Sequence, residues 1–123
     1  MLFTQKSEVD IHEMSPLALA FVGDAVLELL VRARLVGTTR LQPNRLHTVA
    51  THYVSAHAQN LELDIIEPML TDAEAAVLRR GKNASKATVA KHATVQEYRA
   101  STGFECLLGW LYLQGRNLSL IHI

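Results

Sequence analysis

The sequence predicts an all-α fold, a compact bundle of several helices. Apolar residues recur at helical spacing, helix-capping residues stand at the ends of these stretches, and no two segments show the alternation of paired strands. The chain has 123 residues, of which 49% are hydrophobic and 20% charged, so it is long enough to bury one core. We therefore expect a single domain over residues 1–123.

The first two helices are predicted from their end signals. Ser15 followed by Pro16 is typical of an N-cap and first turn, and Gly37 indicates the C-terminal end of a long helix. Asn44 is a candidate cap for a second helix, which Pro68 would end. The sequence predicts one continuous helix between these two residues.

The second half of the chain predicts a short helix, a loop and a long final helix. Thr71 and Glu74 match the capping box, which starts a short helix that ends before Gly81. The following stretch, "GKNASKATVAKHAT", is small, polar and basic without apolar periodicity, and so predicts a loop. The final helix is predicted over about 95–114.

Composition excludes several classes of protein. No run approaches the roughly 20 apolar residues that span a bilayer, and the N-terminus lacks the apolar core of a secretory signal. The single cysteine, Cys106, cannot form an intramolecular disulfide, and its apolar surroundings favour a small core residue over a nucleophile. Together these features predict a protein without membrane segments in a reducing compartment.

Charge is segregated along the chain although twelve basic and twelve acidic residues cancel. No Lys or Arg occurs from Leu46 to Leu78, which holds five acids, whereas no acid occurs from Ala75 to Gln96. The basic part suits contact with phosphates, and its lack of aromatic residues favours a duplex over a single strand. The alternative is an ordinary solvated surface.

Two carboxylates lie in apolar helices. Asp24 belongs to a helix with apolar residues on every side, so we expect it to be buried and to need a partner. Glu105 lies on the smaller, more polar side of the last helix, and Gly23 and Gly109 would let helix backbones approach closely. Two such carboxylates suit Mg²⁺ with several waters. Alternatively, each acid meets an arginine or a backbone N–H.

The histidines do not predict a zinc site. His47, His52 and His57 follow one another at intervals of five residues, which turns each by roughly 140° around a helix instead of placing them on one face. We interpret them as surface or RNA-facing residues.

The segments around both acids resemble the ribonuclease III family. "AFVGDAVLELLV" is similar to the family's signature helix, and "FECLLGWLYL" to its second block. The resemblance implies that Asp24 and Glu105 are catalytic Mg²⁺ ligands. The larger family has two further acids, and here Ala20 and Thr102 occupy those positions.

Residues 10 to 116 resemble the short branch called Mini-ribonuclease III, which consists of the nuclease domain without a double-stranded-RNA-binding domain. The blocks that carry this likeness are "LALAFVGDAVLELLVR", "NRLHTVATHYVSAHAQ" and "EAAVLRRGKNASKATVAKHATVQEYRASTGFE". It implies a helical homodimer in which Phe21 inserts into the partner. It also implies Mg²⁺-dependent cleavage of double-stranded RNA to 5′-phosphate and 3′-hydroxyl ends.

The same likeness suggests a ribosomal RNA precursor (23S) as substrate, in the bacterial cytoplasm or an organelle stroma. The residues that we expect to bind RNA are Arg79, Arg80, Lys82, Asn83, Lys86 and Lys91. The alternative function is a catalytically inactive dimer of the same fold that acts as an RNA-binding scaffold.

Overall fold

A computed structural model describes residues 8–84 and 94–115, and within them the chain forms five α-helices and two short 3-10 helices, with no strand. The α-helices are α1 (Pro16–Thr38), α2 (Pro43–Tyr53), α3 (Ala56–Ile66), α4 (Asp72–Ala84) and α5 (Val95–Leu113), and the 3-10 helices are Ile11–Glu13 and Glu67–Met69. The all-α prediction is confirmed. None of the helices in these residues is long and apolar enough to cross a membrane.

Helix α5 is the centre of the bundle and packs against α1, α3 and α4. Four of its side chains, Phe104, Leu107, Leu108 and Leu111, are no more than 1% exposed. The other helices contribute the rest of this cluster: Val26 and Leu27 from α1, Leu63 and Ile66 from α3, and Leu78 from α4. Burial of these apolar side chains is the main contribution to the stability of the fold.

The predicted caps of α1 and α4 are present. The Ser15 hydroxyl accepts a hydrogen bond from the Ala18 N–H. Thr71 and Glu74 exchange both bonds of the capping box, which satisfies backbone donors that the helix itself leaves free. A second capping box, between Thr94 and Glu97, starts α5.

Glu97 also joins α3 to the first turn of α5. Its Oε2 contacts Nδ1 of the exposed His57 on α3. The Thr94 backbone N–H and His57 together hold the pKa of Glu97 below its usual value.

Two helix boundaries differ from the prediction. The predicted second helix is divided into α2 and α3, because the Ser55 side chain caps a new helix by accepting a hydrogen bond from Ala58 N–H. Asn44 lies inside the first turn of α2, with Pro43 at its start. Gly37 does not cap α1, which continues to Thr38.

Helix α4 is longer than predicted and runs through Gly81 to Ala84. Gly81 faces α5 at Gly103, where a Cβ built on Gly81 would lie 2.8 Å from the Gly103 Cα and 2.7 Å from the Cys106 Cβ. The glycine therefore permits close helix packing and does not end the helix. The rest of the predicted loop, residues 85–93, lies outside the described residues.

Candidate metal and catalytic site

Helices α1 and α5 touch backbone to backbone at two glycines. A Cβ built on Gly23 would lie 1.6 Å from the carbonyl oxygen of Glu105, and one on Gly109 would lie 2.0 Å from that of Leu19. No side chain fits at either position, as the sequence predicted for a close approach. The crossing therefore fixes how the two helices are placed relative to each other.

The crossing brings the carboxylates of Asp24 and Glu105 side by side. Asp24 directly follows Gly23 on α1, and the backbone carbonyl that Gly23 meets on α5 belongs to Glu105. Burial, followed by a hydrogen bond to Asp24 and the charge of that residue, raises the pKa of Glu105 to about 8. Without a cation, the pair therefore holds a proton on Glu105 near neutral pH.

Asp24 is exposed in the single chain, so the prediction of a buried acid is wrong. Helix α1 packs on the bundle through one side only, with Leu19, Val26 and Leu27 buried. Its other apolar residues remain uncovered, and Phe21 is 83% exposed. The apolar residues around the whole helix could not show which side the chain itself covers. Glu105 is half-buried, as expected.

The two positions that carry acids in the larger family supply no carboxylate here. Ala20 is buried in a small cluster that includes Val77 and Cys106. Thr102 is buried, and its hydroxyl donates a hydrogen bond to the Tyr98 carbonyl. Within residues 8–84 and 94–115, no group of three or more His, Cys, Asp or Glu side chains is placed to hold a metal ion.

Glu28, one turn after Asp24, is engaged elsewhere. Its Oε2 accepts a hydrogen bond from Arg32 Nε at 3.0 Å. Of Asp24, Glu28 and Glu105, only Asp24 and Glu105 are therefore shown with their carboxyl groups in contact.

Cys106 is a core residue, as the sequence predicted. It is 1% exposed, and its Sγ lies 3.7 Å from the Val77 carbonyl oxygen. Burial raises the pKa of the thiol to about 11 despite the opposing charge of Arg80, so the reactive thiolate is scarce at neutral pH.

The described members of the predicted RNA-binding set lie on more than one side of α4. Arg79, Arg80 and Asn83 are exposed on α4. Arg80 lies on the side near Cys106, the neighbour of Glu105. Lys82 lies on the side near α3, with its Nζ 3.6 Å from Glu67 Oε1. Lys86 and Lys91 lie outside the described residues.

Sequence reasoning missed the second glycine contact, between Gly81 and Gly103. The available signal was that both glycines lie inside helical stretches, where glycine is unfavourable unless packing requires it. This contact positions α4, and with it Arg80, beside the helix that carries Glu105.

The carboxylate pair lies outside two sizeable surface cavities. One, of about 380 Å³, lies between α1 and α3, and another, of about 580 Å³, lies between α3, α4 and the start of α5. Neither is lined by Asp24 or Glu105. Small ligands are usually enclosed in such cavities, whereas an exposed carboxylate pair suits an extended substrate.

Comparisons with known proteins identify the family of the chain. The sequence pattern of the Ribonuclease III domain matches residues 17–116. Mini-ribonuclease 3 of Enterococcus faecalis is 46% identical over 106 residues, which cover 85% of this chain and 80% of the relative. Mini-ribonuclease 3 of Brevibacillus brevis is 41% identical over 121 residues, covering 97% and 90% of the two chains.

A solved structure shares the fold. A Fusobacterium nucleatum protein determined by X-ray crystallography superposes with a TM-score of 0.83 at 29% sequence identity, covering 92% of this chain and 90% of that one. Sequence and structure therefore agree: the chain belongs to the ribonuclease III family, in the branch whose curated members are named Mini-ribonuclease 3.

Proposed function

We propose that this chain is a homodimeric, Mg²⁺-dependent endoribonuclease that cleaves double-stranded RNA to 5′-phosphate and 3′-hydroxyl ends. Its family makes it a ribonuclease. The observation that carries the metal-dependent mechanism is the pair of adjacent carboxylates, Asp24 and Glu105, held by two helices in backbone contact.

The donor set suits a hard divalent cation. Carboxylate oxygens are the ligands that Mg²⁺ takes from proteins, and one or two of them with several waters is its usual shell. Asp24 and Glu105 would hold the ion. Because ligands must be deprotonated, binding would release the proton that the pair holds on Glu105. The buried Ala20 and Thr102 side chains supply no further acid.

The mechanism is hydrolysis of the bond between phosphorus and the 3′ oxygen. Mg²⁺ bound by the two carboxylates would activate a water and stabilise charge on the phosphate and the leaving oxygen. The chain's own contribution is to position the carboxylates: the glycine crossing holds the half-buried Glu105 beside the exposed Asp24, through which a backbone phosphate can approach the pair. Arg80, an exposed cation on the neighbouring helix α4, would attract the phosphate backbone.

The exposed apolar side of α1 supports a dimer. Phe21, Leu29 and Val36 are 83%, 64% and 67% exposed and share one side of the helix. Several large exposed apolar residues on one side of a helix are typical of a protein interface. A second copy packed against it would bury Phe21 and would bring two carboxylate pairs into one particle, as symmetric dimers do.

The family likeness supports a proposal for the substrate and the compartment. We assign the substrate to structured ribosomal RNA precursors, such as the 23S precursor, in the bacterial cytoplasm. The relatives named above come from bacteria, which fits this assignment. The exposed arginines of α4, Arg79 and Arg80, would bind the duplex backbone, so RNA affinity should fall steeply with salt.

The test is cleavage of long double-stranded RNA by the purified chain with Mg²⁺, with EDTA, and by variants. We expect Asp24→Asn and Glu105→Gln to lower the rate by at least about 100-fold, because each removes one of two metal ligands. Asp64→Asn, which removes an exposed carboxylate on α3, is the matched control and should cleave normally. Calorimetry should show that Mg²⁺ binding is lost in both site variants.

Cleavage that survives Asp24→Asn would contradict the site assignment. Intact RNA in the Mg²⁺ reaction, together with retained RNA binding, would instead establish the alternative function, an inactive RNA-binding scaffold. The dimer is tested separately by the mass of the particle in solution, which Phe21→Ser should reduce to that of one chain.

A further inference from the structure

A second exposed apolar surface lies on α3 and the turn that follows it. Leu61 and Ile65 are 53% and 67% exposed and lie one turn apart on α3, and Met69, 70% exposed, lies in the 3-10 helix that directly follows. We call these three residues the α3 face. Its size and regular spacing distinguish it from the scattered apolar residues of an ordinary surface.

The α3 face is held rigidly by the opposite side of its helix. Gln59, Leu63 and Ile66 are buried, and the last two join the main core. Helix α3 borders α5 at Ala100, whereas α1 crosses α5 at Glu105 and Gly109, on another side of that helix. The α1 residues that line the cavity beside α3, such as Leu30 and Arg34, lie on a different side of α1 from Phe21. A dimer formed through the Phe21 side of α1 would therefore leave the α3 face uncovered.

Carboxylates border the α3 face. Glu62, Asp64 and Glu67 alternate with its apolar residues, and no Lys or Arg occurs between Leu46 and Leu78. Within the described part of the chain, the one salt bridge that reaches these three acids comes from Lys82, to Glu67. The negative charge would repel RNA phosphates, so the nuclease function does not account for this surface.

We infer that the α3 face docks a basic amphipathic helix of another protein. Apolar side chains of that helix, repeated every three or four residues, would cover Leu61, Ile65 and Met69, and its lysines or arginines would meet Glu62 and Asp64. A second copy of this chain fits poorly, because two α3 faces in contact would place like charges together. This inference is independent of the proposed catalysis.

The experiment uses the full chain and a synthetic helix of leucine and lysine, about 18 residues long. A matched peptide with glutamate in place of lysine is the control. Backbone amide shifts of the ¹⁵N-labelled protein report the location of binding. We expect the lysine peptide to perturb residues 57–72 and to bind at least about tenfold more tightly than the glutamate peptide.

Paired variants separate the apolar and charged contributions. Leu61→Ser with Ile65→Ser should weaken the lysine peptide by at least about tenfold, whereas Leu113→Ser, at a residue 38% exposed on α5, should leave binding unchanged. Glu62→Gln with Asp64→Asn should weaken binding of the lysine peptide severalfold and make that binding less dependent on salt. Circular dichroism confirms that each variant is folded.

Three results would overturn the inference. Equal binding of both peptides would exclude a charge-selective surface, and amide shifts confined to α1 would place the binding elsewhere. Self-association that the Leu61→Ser, Ile65→Ser variant abolishes would make a second copy the occupant. Because this variant retains both carboxylates of the nuclease site, its RNA cleavage should be normal, which separates failure here from failure of the proposed function.

Discussion

Helix α5 is crossed twice at glycines, and the two crossings differ in what they meet. At the α1 crossing, a Cβ on Gly23 or Gly109 would collide with a backbone carbonyl oxygen at 1.6 or 2.0 Å. At the α4 crossing, a Cβ on Gly103 would meet the Lys82 Cγ at 2.7 Å and the Leu78 carbonyl oxygen at 2.9 Å. The first contact is between two backbones, and the second is partly against a side chain.

The difference shows that any side chain at the glycine positions is excluded more strictly at the crossing beside the carboxylates than at the crossing beside Lys82. Backbones in contact cannot yield without moving whole helices, so the backbone positions from which the Asp24 and Glu105 side chains extend are fixed relative to each other. At the other crossing, the stem of Lys82 has rotatable bonds and can move aside. The carboxylate pair is therefore on the rigid side of α5, and Lys82 is on the adjustable side.

The largest expected effect tests the rigid crossing. Gly23→Ala should lower the free energy of unfolding by more than about 4 kcal/mol or prevent folding, because its Cβ would displace α5. Urea denaturation measures this. Gly37→Ala is the control: its Cβ would meet nothing within 4 Å, and alanine favours helix, so it should stabilise by up to about 1 kcal/mol. A well-tolerated Gly23→Ala would contradict the backbone contact.

A smaller loss is expected at the adjustable crossing. Gly103→Ala should lower the free energy of unfolding by about 2 kcal/mol, since Lys82 can shift but the Leu78 carbonyl cannot. The double variant Gly103→Ala, Lys82→Ala should recover part of this loss. If Gly103→Ala were as damaging as Gly23→Ala, the contrast between the crossings would fail.

The third prediction concerns pH and the protonated carboxylate pair in EDTA. The pKa of Glu105 is about 8 in the folded chain, against an ordinary value of 4.5, so the folded state binds more protons between these values. The protonated Glu105 therefore contributes fully to the free energy of unfolding below pH 4.5, and this contribution is lost as the pH rises to 8. Glu105→Gln should remove this loss, on the order of 2 kcal/mol given partial hydration of the side chain.

Thermal denaturation of both proteins at pH 5 and pH 8 measures the effect, and their difference cancels the other titrating groups. Glu105→Gln should be the more stable protein at pH 8, although it is expected to lose activity. A difference that does not change with pH would mean that the two carboxyl groups do not share a proton.

The smallest expected effect distinguishes the two sides of α4. Arg80→Ala should weaken binding of double-stranded RNA by about three- to tenfold and reduce its salt dependence, because Arg80 is an exposed cation without a salt bridge to any described residue and its charge reaches Cys106 on α5. Lys82→Ala should have less effect, because Lys82 faces Glu67. Filter binding at two salt concentrations measures both, and equal losses would show that the basic residues act as one surface.

Local signals in the sequence predicted much of the fold. Ser15 and the capping box at Thr71 mark true helix starts, because a capping side chain bonds to backbone only a few residues away. The same kind of signal, Ser55, was overlooked, and one predicted helix proved to be two. The sequence predicts a helix end at Gly81, but a glycine is needed there because Gly103, distant in sequence, packs against it.

The sequence by itself determined the helical class, the family and the two acids, since apolar spacing and the motifs around Asp24 and Glu105 can be read along the chain. Only the tertiary structure decided that the two carboxylates are adjacent and that Asp24 is exposed. These properties depend on which side of α1 meets α5, and residues far apart in sequence decide that contact. A helix that is apolar on every side specifies burial in general, whereas packing decides what covers each side.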